Sequence, residues 1–390
     1  MFPLPKEDIM GQLVLATELA QARIHRAQAL MQEQKIDFML LPVSPELEWL
    51  VGYQTHALER LTVLVVRQNG FPDLVVPELE VVTLQVPAEL FRIHQWSQGQ
   101  DPFKMTVELA VGYEEPADDG FYNIAVGRKM PSMHLLPLQK LLQKSDWQDT
   151  EKILSPMRRT KDAGEIADLR EIARVVDLTI AEIQAGKIPL LGRTERAVAD
   201  DVTKSMLRNG HASVTFCIVA TGSNSADPHH EPDDTVIERG HVVLFDIGGR
   251  SKKGYSSDIT RCVTIGEPKL GVPTTYNFLR TAQELAFKAA KPGVRACDVD
   301  AAARNSLAEV KLEQFFVHST GHGIGLDEHE DPFVNKINQA PLLVGDAFSI
   351  EPGVYFAGSY GLRLEDIVIM TEDGAVRLNN TCRDLIELDQ

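Results

Sequence analysis

Two stretches of this chain set carboxylates among apolar side chains. Residues 241–249, His-Val-Val-Leu-Phe-Asp-Ile-Gly-Gly, read as a buried strand carrying Asp246. An ionised carboxylate in such surroundings needs a cation or several donors, or else takes up a proton. Asp258 follows twelve residues later in Tyr255-Ser-Ser-Asp-Ile-Thr-Arg261, with the turn-like Arg-Ser-Lys-Lys-Gly between the two runs. Folding the chain about Lys252 predicts a hairpin in which Asp246 and Asp258 stand opposite each other, with Cβ atoms ~4.5–5.5 Å apart, where like charges repel unless something positive lies between them. The layout recurs in Phe348-Ser-Ile-Glu-Pro-Gly-Val-Tyr355 and Gly361-Leu-Arg-Leu-Glu-Asp-Ile-Val368. A hairpin centred on Gly358 opposes Glu351 and Glu365. Taken singly, each acid could pair with a local base such as Arg261 or Arg363. Two such pairs together point to four carboxylates gathered around divalent cations.

Three of the eleven histidines, His318, His322 and His329, fall within twelve residues. On a helix, His318 and His322 would share a face as a zinc pair does. Gly321, Gly323 and Gly325 would each cost about 1 kcal/mol in a helix interior, which predicts instead an irregular loop or twisted strand closely approaching something else. Imidazole beside carboxylate favours manganese, cobalt, iron or zinc over calcium. A further pair, His229-His230, follows Gly222-Ser-Asn-Ser-Ala-Asp-Pro228 in a loop and by itself reads as a surface feature. His25, His56, His94, His134, His211 and His241 carry no spacing signal and read as structural or exposed.

The elements that must hold these residues divide into two domains, expected at 1–156 and 157–390. In the first, Leu, Ile and Ala recur at helical spacing from Ile9 to about Gln34, and strands follow at Phe38–Val43, Leu61–Val66 and Leu74–Val76, a smaller α/β domain. A polar stretch over 148–164 leads into an amphipathic helix marked by Ile166, Leu169, Ile172, Val176 and Ile180. Helices are also expected from Thr194 to a Gly210 cap, over 273–290 and over 297–310. The rest reads as antiparallel hairpins, so this second domain is α+β. There is no repeat, low-complexity tract or Gly/Ser linker.

A net charge of −17 argues against a nucleic-acid or anionic-membrane surface, either of which needs clustered positive charge. No run approaches the ~18–20 apolar residues that span a bilayer, and the start lacks a basic-then-apolar secretion layout. Cys217, Cys262, Cys297 and Cys382 are far apart and form no C-x-x-C pair, as expected of reduced core thiols. These features predict a cytoplasmic protein.

The ordered series Asp246, Asp258, His322, Glu351, Glu365, with the strings Tyr255-x-x-Asp-Ile-Thr-Arg, Gly-His-Gly-Ile-Gly and Glu-Pro-Gly-Val-Tyr, resembles the pita-bread metallopeptidases. The branch is that of Xaa-Pro dipeptidase (prolidase) and aminopeptidase P, and the likeness covers nearly the whole chain. It implies a C-terminal pita-bread catalytic domain and two divalent metal ions per chain, manganese foremost, with cobalt, zinc or iron as alternatives. Asp246 would bind one ion through both oxygens, Asp258 and Glu365 would bridge, and His322 and Glu351 would complete the second. The ions would activate a shared water, with Glu351 shuttling its proton to the leaving imino nitrogen. His229 and His329 would hydrogen-bond substrate and tetrahedral intermediate, His318 would line the proline-side pocket, and Arg363 would orient a ligand carboxylate or the substrate end. The implied substrate is a small peptide with proline second, a dipeptide first and a longer peptide as the alternative, and the implied assembly is a homodimer.

This sequence departs from the family pattern twice. Phe333 stands four residues after His329, where many prolidases place an arginine that grips the dipeptide carboxylate, and a phenylalanine cannot form that forked contact. His230 stands where an aromatic residue is frequent. Methionine aminopeptidases share the five ligands but normally lack the N-terminal domain, and creatinase-like hydrolases, lyases or binding proteins of this scaffold have generally altered the ligands that are intact here.

Overall fold

A computed structural model describes residues 12–13, 15–81, 90–112 and 120–389. The chain divides into two units, Met1–Arg158 and Arg159–Gln390. In the first, the helix expected from Ile9 is described from Thr17. Its expected first residues, 9–11, lie outside the described residues, and β1 (Gln12–Leu13) pairs with β3 (Tyr53–Gln54) instead of extending α1 (Thr17–Gln34), because the backbone at Ala16 is extended. Ser44 caps α2 (Pro45–Val51) by accepting the Leu47 N–H, and Gly52 ends it in the left-handed region. The three expected strands are β2 (Phe38–Pro42), β4 (Val63–Arg67) and β5 (Asp73–Pro77). After α3 (Glu78–Val81) come β6 (Arg92–Trp96), α4 (Pro102–Val111), β7 (Tyr122–Val126), α5 (Ser132–Leu141), β8 (Ser145–Asp149) and α6 (Glu151–Arg159). The strands form one mixed sheet in the order β6-β5-β4-β2-β7-β8. Phe38, Leu40, Val63, Val65, Val75 and Ile124 face Ala110 of α4 and Leu138 of α5, which gives this unit its own core.

In the second unit, a capping box between Asp162 and Glu165 starts α7 (Ala163–Gln184), and Thr194 caps α8 (Glu195–Asn209), which stops at Gly210 where φ is 128°. Both pack on a four-stranded sheet ordered β19-β11-β10-β9, made of β9 (Ser213–Thr221), β10 (Val242–Arg250), β11 (Ser256–Ile265) and β19 (Ile386–Leu388). Helices α9 (Val272–Ala289) and α10 (Ala296–Glu309) fall on the expected spans. They share a second core with the sheet β13-β12-β14-β17-β18, built of β12 (Gly321–Gly323), β13 (Glu330–Val334), β14 (Ala347–Ile350), β17 (Asp366–Thr371) and β18 (Gly374–Arg377). β15 (Gly353–Phe356) and β16 (Tyr360–Arg363) form a separate ribbon.

Alternation along β10 and β11 decides what each face meets. The odd positions Val243, Phe245, Ile247, Ile259 and Val263 pack under α7 and α8. The even positions Val242, Leu244 and Cys262 enter the second core. Asp246, Asp258 and Thr260 share that even parity, further along the same face.

The first hairpin departs from its expected register. Asp246 pairs with Thr260, and Asp258 with Gly248. The turn is closed by Ser251 N–H to the Tyr255 carbonyl, with Gly254 at φ 86°, so the chain folds about Lys253 rather than Lys252. A shift of two residues in the pairing preserves the face, and the two aspartates remain diagonal neighbours. The second hairpin keeps the expected register. Ile350 pairs with Asp366, Gly353 with Arg363 and Phe356 with Tyr360, about Gly358 at φ 72°. Glu351 and Glu365 lie in the break where this hairpin passes from the sheet to the ribbon.

Candidate metal centre

All nine residues singled out from the sequence, Asp246, Asp258, His322, Glu351, Glu365, His229, His318, His329 and Arg363, line one cavity of about 400 Å³ in the second unit. β10 and β11 bring Asp246 and Asp258, β12 brings His322, and the hairpin break brings the two glutamates. The glycine prediction holds at β12, where a Cβ on Gly321 would lie 1.8 Å from the Ser349 carbonyl oxygen. Only a bare backbone lets β12 approach β14 closely enough to aim His322 at the carboxylates.

Hydrogen bonds fix six of these side chains, those of His322, Glu351, Glu365, Arg363, Asp246 and His318. His322 gives its Nδ1 proton to the Gly323 carbonyl at 3.1 Å, which leaves Nε2 facing Glu351 Oε1 at 3.2 Å and Asp258 Oδ2 at 3.7 Å. Ser349 Oγ donates to Glu351 Oε1 at 3.0 Å and accepts the His322 N–H at 3.0 Å. Thr260 Oγ1 donates to Glu365 Oε2 at 2.8 Å and accepts from Arg363 Nε at 3.0 Å. Arg363 also reaches Asp246 Oδ2 at 2.5 Å and the Tyr355 hydroxyl at 2.8 Å. That hydroxyl meets His318 Nε2 at 2.8 Å, while His318 Nδ1 lies 2.8 Å from the Ser319 carbonyl. The carbonyl only accepts, so Nδ1 carries the proton and Tyr355 donates to Nε2. The rings of His322 and His329 meet edge to face at 4.1 Å.

Burial first, and then the neighbouring charges, governs protonation here. Burial, then the charges of Glu365, Asp246 and Glu351, raises the Asp258 carboxyl well above the usual aspartate range. Burial and the charges of Glu351 and Asp246 push Glu365 up to about 8. Burial opposes a charge on His322, yet its hydrogen bond to Glu351 outweighs that and raises it to about 9. Burial would raise Glu351 too, but the same bond holds it down at about 2. His318 and His329 are both depressed, first by burial; at His329 the charge on His322 adds to it.

The residues present fit a metal ion. Asp246 Oδ1 and Glu365 Oε1 are buried oxygens with no hydrogen-bonding partner among the described residues. One ligand atom from each of Asp258, His322 and Glu365 lies within 4.8 Å of the others. Asp246 and Glu351 stand outside that trio, the first drawn to Arg363 and the second to Ser349 and His322. Held by these residues, a divalent cation would add positive charge beside Asp258 and Glu365 and would allow both to ionise near neutrality. Thr260, Ser349 and Tyr355 carry no role in the sequence reading. The parity of β11 places Thr260 beside Asp258 on one face and is the one signal that marks it.

Comparison with known proteins agrees with this geometry. Residues 167–372 match metallopeptidase family M24, and residues 23–160 match the creatinase/prolidase N-terminal domain. The chain belongs to metallopeptidase family M24. It is a metal-dependent hydrolase whose sequence runs from a creatinase/prolidase-type N-terminal domain into a pita-bread catalytic domain. It is 40% identical over 380 residues to "Probable dipeptidase PepE" of Mycobacterium tuberculosis, covering 97% of this chain and 99% of that protein. It is 30% identical to the Xaa-Pro dipeptidase of Pyrococcus horikoshii, covering 95% and 100%. The crystal structure of dipeptidase PepE from Mycobacterium ulcerans superposes with a TM-score of 0.88 at 37% identity, covering 96% and 100%.

Proposed function

We propose that this chain hydrolyses the peptide bond before proline, foremost in Xaa-Pro dipeptides, at a centre of two divalent ions. The observation that carries the reading is the single cavity onto which five metal-type ligands, three further histidines and a buried arginine converge. The names of the similar proteins, a dipeptidase and an Xaa-Pro dipeptidase, agree with it.

Asp246, Asp258, His322, Glu351 and Glu365 would hold the ions. When bound, such ions acidify a water to about neutral pKa and polarise the scissile carbonyl. Hydrolysis adds OH to the carbonyl carbon and a proton to the proline nitrogen as the C–N bond breaks. Glu351, oriented by Ser349, carries that proton to the leaving nitrogen. His229 and His329, each with a ring N–H, hold the substrate and the oxyanion that develops on it. His318, fixed between Tyr355 and the Ser319 carbonyl, walls the proline side.

Four carboxylates with one imidazole suit manganese, with cobalt, zinc or iron as substitutes. Unpaired thiols at Cys217, Cys262, Cys297 and Cys382 fit a cytoplasmic setting, and no described helix is long and apolar enough to cross a membrane. The reading includes a homodimer, which light scattering measures directly. One observation favours a second reading, cleavage of longer peptides. Phe333 lines the cavity, and the guanidinium of its one lining arginine, Arg363, is already bonded to Asp246, Tyr355 and Thr260. Turnover of Ala-Pro against Ala-Pro-Ala by the manganese-loaded chain decides; a clear preference for the tripeptide replaces the dipeptidase reading.

A further inference from the structure

Glu195, fully buried at the start of α8, gathers the loop that carries His229. Its Oε1 accepts the Thr221 N–H at 2.6 Å and Asn224 Nδ2 at 3.2 Å. Its Oε2 accepts the Asp233 N–H at 3.2 Å and meets His230 Nε2 at 2.6 Å. A carboxylate offers acceptors only, so Nε2 carries the proton. Glu195, His230 and Asp233 bring ligand atoms within 4.8 Å of one another, as a metal site would. Both Glu195 oxygens, His230 Nε2 and Asp233 Oδ1 are instead spent on the chain itself, Asp233 Oδ1 taking the Thr235 N–H at 2.7 Å. The cluster is an anchor.

What it anchors is the neighbouring residue. His229 lines the metal-centre cavity, whereas His230, next in the chain, is drawn back onto Glu195. The loop is pinned elsewhere by the Gly361 N–H to Ser225 Oγ at 2.8 Å, and the His229 N–H is held by Asp227 Oδ1 at 3.0 Å. Neither bond fixes which way the His229 side chain turns. The His230–Glu195 bond commits one member of the adjacent pair to α8, while the other lines the cavity.

We propose that His230 is a positioning residue that acts through His229, its bond to Glu195 holding the preceding imidazole at the substrate. This rests on the reading of His229 as a substrate-facing donor. In the full, manganese-loaded chain, His230→Ala should lower kcat/KM for Ala-Pro by ~10–100-fold, the range that misplacing a reacting group produces, with metal content and Tm near wild type. Added to a His229→Ala background, the same change should alter kcat/KM by no more than about two-fold, since the group it positions is gone. His230→Gln, which places an N–H where Nε2 sits, should restore most of the activity, whereas the shorter His230→Asn should not. Wild-type kcat/KM in His230→Ala, or an equal loss in both backgrounds, overturns the proposal. If His230→Ala fails to fold, equal activities of the Gln and Asn variants overturn it. A readout without turnover is the His229 ring signal in histidine-labelled, zinc-loaded protein. It should broaden or split in His230→Asn and be restored in His230→Gln, and an unchanged signal overturns the proposal. A wild-type chain inactive on Ala-Pro counts against the peptidase reading, and the ring signal still tests the positioning.

Discussion

Thr260 Oγ1 donates to Glu365 Oε2 at 2.8 Å and accepts from Arg363 Nε at 3.0 Å, so one hydroxyl on β11 couples a buried guanidinium to a carboxylate proposed to hold metal. Removing an outer-shell partner of this kind typically costs ~10–100-fold in metal affinity. Thr260→Val keeps the shape of the side chain and loses the donor. It should therefore bind Mn²⁺ ~10–100-fold more weakly by equilibrium dialysis, and because Glu365 and Arg363 Nε each lose a buried partner, denaturant unfolding should show a loss of ~1–3 kcal/mol. Unchanged affinity would show that Glu365 needs no such partner.

Ligands and substrate-facing groups should separate by assay. Asp258→Ala and Glu365→Ala each remove negative charge from the centre, and both should abolish Ala-Pro turnover and lower bound metal measured by elemental analysis. His329→Ala leaves the carboxylates untouched. It should keep its metal and turn over ~10²–10³-fold more slowly, as expected when one donor to a developing oxyanion is lost. Metal loss in the histidine variant, or full activity in either acid variant, contradicts the assignment.

Above neutral pH the metal-free chain should lose stability as pH rises. Glu365 is raised from 4.5 to about 8 in the folded state, first by burial, so folding favours its protonated form and that contribution disappears as pH climbs from 4.5 through 8. His322 is raised from 6.5 to about 9, against its burial, by the hydrogen bond to Glu351, so its contribution is complete below 6.5 and is lost through 9. Both signs agree, and above pH 7, where the depressed His318, His329, His134, His211 and His241 are largely neutral in the folded and the unfolded chain alike, none of these histidines opposes them; Glu351, held at about 2, does not change over pH 7–9. Ligation must expel these protons. The Tm of the metal-free protein should fall over this range, the gain in Tm on adding Mn²⁺ should grow, and calorimetry in buffers of different ionisation enthalpy should register proton release at pH 7. A gain independent of pH would show that neither group is protonated before binding.

Gly321→Ala should cost ~1–3 kcal/mol, the usual range for overpacking, because its Cβ would meet the Ser349 carbonyl 1.8 Å away and push β12, with His322, off β14. Metal affinity should fall with stability. Gly358→Ala is the control. It has open space around it and only its φ of 72° to accommodate, so denaturant unfolding should show ~1–2 kcal/mol with metal binding intact.

Much of the centre was legible because strand parity is a local property. Glu351 and Glu365 fell on one symmetric hairpin whose midpoint, Gly358, is marked by its residue type. Asp246 and Asp258 were set two residues off in register, since the turn centre depends on which backbone groups Ser251 and Gly254 close, not on where the basic residues sit. Even so, the face came out right. Helices α9 and α10 were readable from their apolar spacing, whereas the start of α1 was not, because the extended backbone at Ala16 depends on pairing some forty residues away. The roles of Thr260, Tyr355 and Ser349 stayed hidden for a different reason. A hydroxyl announces no partner, and Thr260 finds Glu365 across 105 positions of chain.

Sharing one ribbon between a helix-covered side and a ligand-bearing side makes β10 and β11 intolerant of odd changes in length. Inserting or deleting a single residue upstream of Asp246 within β10, or between Asp258 and Cys262, would turn an aspartate into the greasy layer under α7 and bring an isoleucine or phenylalanine to the carboxylate-lined cavity. The Ser251–Tyr255 connection has no such constraint on its own length, since each strand keeps its pairing outside it. Descendants of this gene should accordingly vary at that tip and hold the spacing of the flanking strands fixed.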